Sequence, residues 1–472
     1  MKNPGNQLTY LVFLSSVAAL GGFLFGYDTA VISGTIGQVT RQFELDVLQQ
    51  GWYVGCALIG SIVGVGIAGI LSDKFGRKKV MLLAASLFTV SAIGCAISQG
   101  ITELIVYRIV GGAGIGMVSI ISPMYISEVA LSRYRGSLVS LYQLAITVGF
   151  LGAYLVNFQL LAMSSTISYD SPAWVVWIFK DEVWRAMLGM EFVPAVLFFG
   201  AIFFIPESPR WLLVNAKEAK ARVVFSRIYA SAAEIQLRID DVYTSIKNTR
   251  GQDWKVIFQP LIRRPILIGV AIAILGQFMG VNAVLYYGPT IFEQAGLTSG
   301  DALFYQVWVG LVNVLTTIIA LFIIDKVGRK SLVYFGVTGM ILSLICIGVY
   351  FIQGENWGLS SSWLLLLFLG YIFFTAISIS AVIFVLLSEM YPNKIRGVAM
   401  SIAGLSLWVG TYLIGQLTPW LLENLSPAGT FFLFALMCLP YIYIIWKMIP
   451  ETAGKTLEEI EQFWMERKGN NA

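Results

Sequence analysis

The chain has 472 residues, 57% of them hydrophobic and only 12% charged, about half the charge of an ordinary soluble domain, which excludes a soluble globular protein and points to a polytopic membrane protein. A formal net charge of +4 is explained by membrane topology and calls for no nucleic-acid partner. The absence of histidine removes the commonest metal ligand and the usual proton shuttle.

Apolar windows of roughly 18–25 residues predict twelve spans, near 9–33, 52–71, 80–98, 104–125, 138–160, 186–205, 264–290, 303–324, 332–352, 362–388, 398–422 and 429–448. The first apolar run starts at Leu8 behind a lone Lys2 and continues past Gly22 to Asp28 and Ile32, too long for the core of a cleavable signal peptide. It reads as span 1. Cys56, Cys95, Cys346 and Cys438 all fall inside predicted spans with no paired spacing, so they read as small packing residues rather than as metal ligands or a disulfide.

The connectors DKFGRKK (73–79), SRYRG (132–136), DKVGRK (325–330) and NKIR (393–396) are short and basic, whereas the opposite loops carry little beyond Arg41, Lys180 and Arg185. Positive charge marks the cytoplasmic side. With an even number of spans, both termini are expected in the cytoplasm.

Three segments recur in register across the chain. LSDKFGRKK (71–79) after span 2 matches IIDKVGRKS (323–331) after span 8, SEVALSRYRG (127–136) after span 4 matches SEMYPNKIRG (388–397) after span 10, and PESPRW (206–211) after span 6 matches PETAGKT (450–456) after span 12. Three ordered matches imply two homologous six-helix halves, and a parallel repeat of this length suits a secondary transporter. The predicted organisation is an N-terminal half at 1–206, a polar, helix-prone cytoplasmic linker at 207–263, a C-terminal half at 264–450 and a cytoplasmic tail at 451–472.

Together, GYD in span 1, the paired DxxGRK loops, the paired ExxxxxxRG ends, PESPRW and PETAGKTLEE resemble the sugar porter family of the major facilitator superfamily, over nearly the whole chain. Within it, the resemblance is to bacterial proton-coupled xylose symporters and to glucose facilitators. The resemblance implies an all-α membrane protein of twelve transmembrane helices with the major facilitator fold. It also implies alternating access, a multi-pass place in a bacterial inner membrane, a small sugar as substrate, and protons as the coupling ion with no other cofactor. Nothing in the sequence requires an oligomer, so a monomer is expected.

The loop residues Asp73, Arg77, Glu128 and Arg135, with Asp325, Arg329, Glu389 and Arg396, have the charges and spacing for hydrogen-bonded ion pairs between helix ends. They are expected to latch the cytoplasmic side shut in the outward-facing state, and Glu207, Arg210 and Glu451 are expected to extend the network. The plainer reading is a set of solvated charges that fix topology, but basic residues alone would do that without matching acids recurring in both halves.

Ionisable residues inside the spans are few: Asp28, Arg108 and Glu191. A charge at the bilayer centre costs on the order of 2.5–3.5 kcal/mol on insertion scales, so each is expected to be paired, protonated or facing water. Asp28 and Arg108 form the obvious couple, and a carboxyl there can be ionised against the arginine or hold a proton. Proton-coupled members of the resembled family carry Asp at this place in span 1, which implies that protonating Asp28 from outside loosens its bond to Arg108 and permits release of sugar inward. A static ion pair is the alternative. Glu191 belongs either to the same network or to a plain helix-to-helix hydrogen bond.

Polyols are recognised by amides, which both donate and accept, and by aromatic rings against their C–H faces. Gln143, Gln277, Asn282, Asn313 and Tyr286 match sugar-contacting positions of the resembled family, and Phe25, Phe384 and Trp408 fall on its aromatic positions. The departures lie in the second half. Gly276 precedes Gln277 where paired glutamines are usual, span 10 reads SISAVIF in place of a Gly-Pro-rich segment ending in Trp, and Leu407 replaces an amide beside Trp408. Fewer amides argue for a smaller or less polar sugar, a shifted pose or weaker binding. Without its prolines, span 10 is expected to be less kinked.

The leading reading is a proton-coupled symporter of a pentose or hexose. The alternatives are a facilitative uniporter on the same fold, a polyol (inositol) transporter and a non-transporting sugar sensor. No P-loop, metal cluster or nucleophile-base arrangement suggests an enzyme, and the glycines of GGAGIG (111–116) lie in a span, where they suit close helix packing.

Overall fold

The computed structural model describes residues 4–131, 133–229, 231–249, 260–391, 396–449 and 451, without the side chains of residues 4–6, 245–249, 260–262, 325, 384, 388 and 396. The described residues are helical with no strand among them. Twelve helices are long and apolar enough to cross a membrane, in the predicted order: Gln7–Gln42, Val47–Phe75, Arg77–Ile97, Ile101–Val129, Arg135–Ser164, Val183–Ile202, Arg263–Gln294, Ser299–Ile324, Arg329–Gln353, Ser361–Leu387, Gly397–Asn424 and Ser426–Met448. Most run past the apolar windows that predict them. Span 1, for example, continues through the polar GQVTRQ to Gln42, because the backbone ladder persists where side chains leave hydrocarbon for the headgroup layer.

Three spans are interrupted. Span 7 comprises Pro260–Phe278 and Val281–Gln294, separated at Gly280, whose φ of 91° lies in the left-handed region. A Cβ built there would stand 2.7 Å from Cε2 and Cγ of Phe434. Gly280→Ala is therefore expected to cost about 1–3 kcal/mol through backbone strain, aggravated by the clash, and to lower the thermal midpoint in detergent. Phe434→Leu in the same chain should return part of that loss.

Span 6 breaks at Met190–Glu191, between Val183–Gly189 and Phe192–Ile202, because Pro194 has no N–H to offer the Met190 carbonyl. Span 10 is not the straighter helix that its missing prolines suggest. It divides into Ser361–Ile377 and Ile379–Met390 at Ser378, which has φ −115° and ψ −85°. The Ser378 hydroxyl donates to the Phe374 carbonyl at 2.5 Å, and this local bond competes with the helical ladder where proline would have removed a donor.

The chain divides into two compact units. The first comprises Met1–Val31, Cys56–Val156 and Met163–Gln252. In it, spans 2 and 4 meet backbone to backbone, with Gly112 on the Ala57 carbonyl and Gly116 on that of Ser61, the close packing that small residues allow. In the first turn of span 6, Arg185 lies between the rings of Trp177 and Trp184 at 4.4 and 4.3 Å. It donates to Glu182 at 2.6 Å and to the Ala96 carbonyl at 3.2 Å, which ties the start of span 6 to the end of span 3. After span 6 come three short helices, Pro209–Val214, Glu218–Ile228 and Ala232–Thr249.

The second unit comprises Ile32–Gly55, Asn157–Ala162 and Asp253–Ala472, so it includes the facing ends of spans 1, 2 and 5 together with spans 7–12. Thr35 and Tyr53 share a hydrogen bond of 2.8 Å, and Gln416 Nε2 donates to the Leu48 carbonyl at 2.9 Å.

Candidate functional site

The first unit holds the buried charges. Asp28 on span 1 is fully buried and Arg108 on span 4 is 2% exposed. Arg108 Nη1 donates to Asp28 Oδ1 in a tight ion pair, and the same nitrogen lies 3.4 Å from the Asp28 carbonyl. Gly111, one turn after Arg108, makes room for the carboxylate: a Cβ there would lie 3.0 Å from Asp28 Oδ2. The second carboxylate oxygen has no hydrogen-bond partner among the described residues. Glu191, 2% exposed at the break in span 6, lies within electrostatic reach of both Asp28 and Arg108. The three ionisable residues picked out inside the spans thus form one buried group of two carboxyls and one guanidinium. Cys56, Cys95 and Ser91 border it.

The second unit holds the polar cluster around the break in span 7. Asn282 Nδ2 donates to Gln277 Oε1 at 2.7 Å across the Gly280 turn. Thr411 Oγ1 on span 11 lies 3.1 Å from the same oxygen. Asn313, Tyr286 and Trp408 are buried in this unit, and Gly276 abuts Ile383 rather than a polar neighbour. Phe25 and Gln143 are half-buried in the first unit. The Phe384 side chain lies outside the described residues.

The third constellation occurs twice. After span 2, Arg77 donates to Glu128 through Nε and Nη2, both at 3.0 Å, and through Nη1 to the Ser72 carbonyl at 3.1 Å and Asp73 at 3.2 Å. Glu207 accepts from the backbone N–H groups of Arg77 at 2.9 Å and Lys78 at 3.2 Å. Lys78 Nζ reaches back to the carbonyls of Phe203 and Ile205 at 3.0 and 2.8 Å.

After span 8 the same set recurs. Arg329 donates to Glu389 at 3.1 Å and to the Ile324 carbonyl at 3.3 Å, and Glu451 accepts from the N–H groups of Arg329 and Lys330 at 3.2 and 3.1 Å. Lys330 Nζ donates to the carbonyls of Trp446 and Ile449 at 3.3 and 2.9 Å. Gly76 and Gly328 open both turns with φ of 100° and 93°. The repeat seen as three sequence matches is thus a repeat of hydrogen bonds.

The family model described as "Sugar (and other) transporter" matches residues 14–464. The chain belongs to the sugar transporter family. It is 37% identical to the arabinose-proton symporter of Bacillus subtilis, over 98% of this chain and 96% of that protein. It is 35% identical to the D-xylose-proton symporter of Escherichia coli K12, over 98% and 97%. Among solved structures, it resembles the partially occluded inward-open conformation of the xylose transporter XylE from E. coli with a TM-score of 0.81 at 32% identity, covering 95% of this chain and 100% of that one.

In this chain the expected loop network differs in two ways. Arg135 lies outside it: the side chain is exposed and stands near Tyr229 of the following helices, because Glu128 is already occupied by Arg77 and by the Ser208 hydroxyl at 2.5 Å. Glu207 and Glu451 act as caps on the starts of spans 3 and 9, where unpaired N–H groups and the helix dipole favour a carboxylate. Burial nonetheless holds the Glu207 carboxyl above the ordinary glutamate range, against the N–H groups of Ser208, Lys78 and Arg77. Arg210 is exposed on Pro209–Val214, and the side chains of Asp325 and Arg396 lie outside the described residues. Every bond named in the network joins elements of one unit.

Sequence reasoning passed over Lys78, Lys330, Ser208 and Thr411. The lysines were legible in the repeated GRK. Thr411 was signalled only by its place one helical turn after Leu407.

Proposed function

We propose that this chain is a proton-coupled monosaccharide symporter working by alternating access, with Asp28 as the proton-carrying group. The observation that carries this reading is the buried Asp28–Arg108 pair, with a second carboxyl, Glu191, in electrostatic reach. Relatives named arabinose-proton and D-xylose-proton symporters over nearly their full length support it. Ionised, Asp28 holds Arg108 through a charged bond; protonated, it no longer offers that charge, so the protonation state of one carboxyl changes which arrangement of span 1 against span 4 is favoured. Glu191 completes the charge balance of the group.

In this reading Gln143, Gln277, Asn282, Asn313 and Tyr286 contact the sugar hydroxyls, and Phe25, Phe384 and Trp408 pack on its C–H faces. The Arg77 and Arg329 networks, with Asp73, Glu128, Asp325, Glu389, Arg396, Glu207, Arg210 and Glu451, form the cytoplasmic gate. The four-part organisation at 206, 263 and 450, a monomeric state, and an inner-membrane orientation with both termini cytoplasmic belong to the same proposal.

The test is uptake of labelled D-xylose, L-arabinose and D-glucose into proteoliposomes, with and without an inside-alkaline pH gradient. Accumulation of one sugar above equilibrium only with the gradient is expected. Equilibration indifferent to the gradient would make the chain a facilitator.

A further inference from the structure

Two polar side chains from two helices converge on the amide oxygen of a third. Gln277 Oε1, at the end of the first segment of span 7, lies 2.7 Å from Asn282 Nδ2 in the second segment and 3.1 Å from Thr411 Oγ1 on span 11. Among the described residues, Gln277 Nε2 takes no partner. Gln277 sits where it does because span 11 offers Gly410 beside Thr411: a Cβ on Gly410 would lie 3.1 and 3.2 Å from Cγ and Cβ of Gln277 and 3.3 Å from the Ile274 Cα. The missing side chain gives Gln277 its place, and the neighbouring hydroxyl gives its amide a direction. Thr411 is 5% exposed.

We infer that Thr411 is a positioning residue for substrate recognition, fixing which end of the Gln277 amide is offered to a sugar hydroxyl. The inference rests on the reading of Gln277 as a sugar contact. A hydroxyl carries one proton, and Thr411 Oγ1 has two acceptors within reach, Gln277 Oε1 at 3.1 Å and the Leu407 carbonyl at 2.9 Å. When the proton points to Gln277, Thr411 and Asn282 both hold Oε1, and Nε2 is left to donate to the sugar. When it points to Leu407, Oγ1 becomes an acceptor. The arrangement that satisfies it turns both amides, so that Gln277 Nε2 is held by Thr411 and Asn282 and Oε1 faces the sugar. An amide has both functions; the threonine selects between them.

The place of Leu407, where an amide is usual in the resembled family, fits this. One amide is absent from span 11, and the hydroxyl one turn later acts on the amide that remains in span 7.

The experiment is sugar exchange across proteoliposomes without any pH gradient, which does not depend on proton coupling, using D-xylose, L-arabinose and D-glucose with wild type, Thr411→Val and Thr411→Ser. Valine keeps the shape and removes the hydroxyl; serine keeps the hydroxyl. The expected result is a KM for the exchanged sugar raised about 5- to 10-fold in Thr411→Val, the scale of one hydrogen bond, with maximal exchange and thermal midpoint near wild type, and KM restored in Thr411→Ser. An unchanged KM in Thr411→Val, or an equal rise in both variants, would overturn the assignment and leave the symporter reading standing. A wild type that exchanges none of the three sugars would overturn that reading, and the assignment of Gln277 with it.

Discussion

Asp28→Asn is expected to abolish accumulation of sugar against its gradient while exchange of sugar across the membrane continues. Asparagine has the size of aspartate and keeps an oxygen that can accept from Arg108, so the packing of a fully buried residue against span 4 is preserved. It cannot gain or lose a proton in the working pH range, and any step that needs the carboxyl to alternate between two charge states is lost. In proteoliposomes with an inside-alkaline gradient, the ratio of internal to external sugar should fall to about one, with exchange within a few-fold of wild type. Undiminished accumulation would reduce Asp28 to half of a structural ion pair.

Asp28→Ala is a different experiment. It takes from Arg108 the carboxylate that its Nη1 meets, and removing one partner of a buried pair costs about 3–5 kcal/mol, so poorly folded protein is the expected outcome there. The contrast between the two substitutions separates the role of the proton from the role of the charge pair.

The second large effect is expected at Arg77. Its guanidinium donates to both oxygens of Glu128 and to the Ser72 carbonyl, and the paired side chains are 9% and 7% exposed. Arg77→Ala leaves the Glu128 carboxylate with the Ser208 hydroxyl in a nearly dry setting, and a loss of about 3–5 kcal/mol follows. The equivalent pair of the second half, Arg329 with Glu389, is 12% and 23% exposed, so water can take over part of what Arg329→Ala removes. Thermal midpoints in detergent should therefore fall further for Arg77→Ala than for Arg329→Ala. The reverse order would show that exposure does not govern these two sites.

Much of this was legible in the sequence, for identifiable reasons. The spans were legible because about twenty consecutive apolar residues have few other uses, and the Asp28–Arg108 pair because a charge in hydrocarbon must find a partner and few were available. The twin loop networks were visible as matched acids and bases. Which acid met which base was not. The sequence did not say that the chain after spans 6 and 12 returns to the starts of spans 3 and 9, and so Glu207 and Glu451 were grouped with the ion pairs they adjoin, and Arg135 with a glutamate already occupied. The break at Ser378 escaped notice because prolines and glycines are the usual signs of a broken helix, whereas this serine acts through its own hydroxyl. Thr411 escaped because threonine inside a span commonly bonds its own helix, and only the distance to Gln277 reveals a second partner.

The broken spans carry a consequence for the history of the chain. Spans 1 and 4 are unbroken helices holding Asp28 and Arg108. Their counterparts after the repeat, spans 7 and 10, have breaks at Gly280 and Ser378 and no Asp, Glu, Lys or Arg within one turn of either in the sequence. Both copies kept the same hydrogen-bonded scaffold at their loop ends, and with that scaffold held constant each was free to specialise after duplication. Among these four spans, the first copy carries the titrating pair on unbroken helices and the second carries breaks without charge, while span 6 of the first copy, broken beside the buried Glu191, combines the two. In span 1 or span 4 a bend beside the buried pair would shift Asp28 against Arg108, and in the two copies this pair and the joints of spans 7 and 10 stand on different helices.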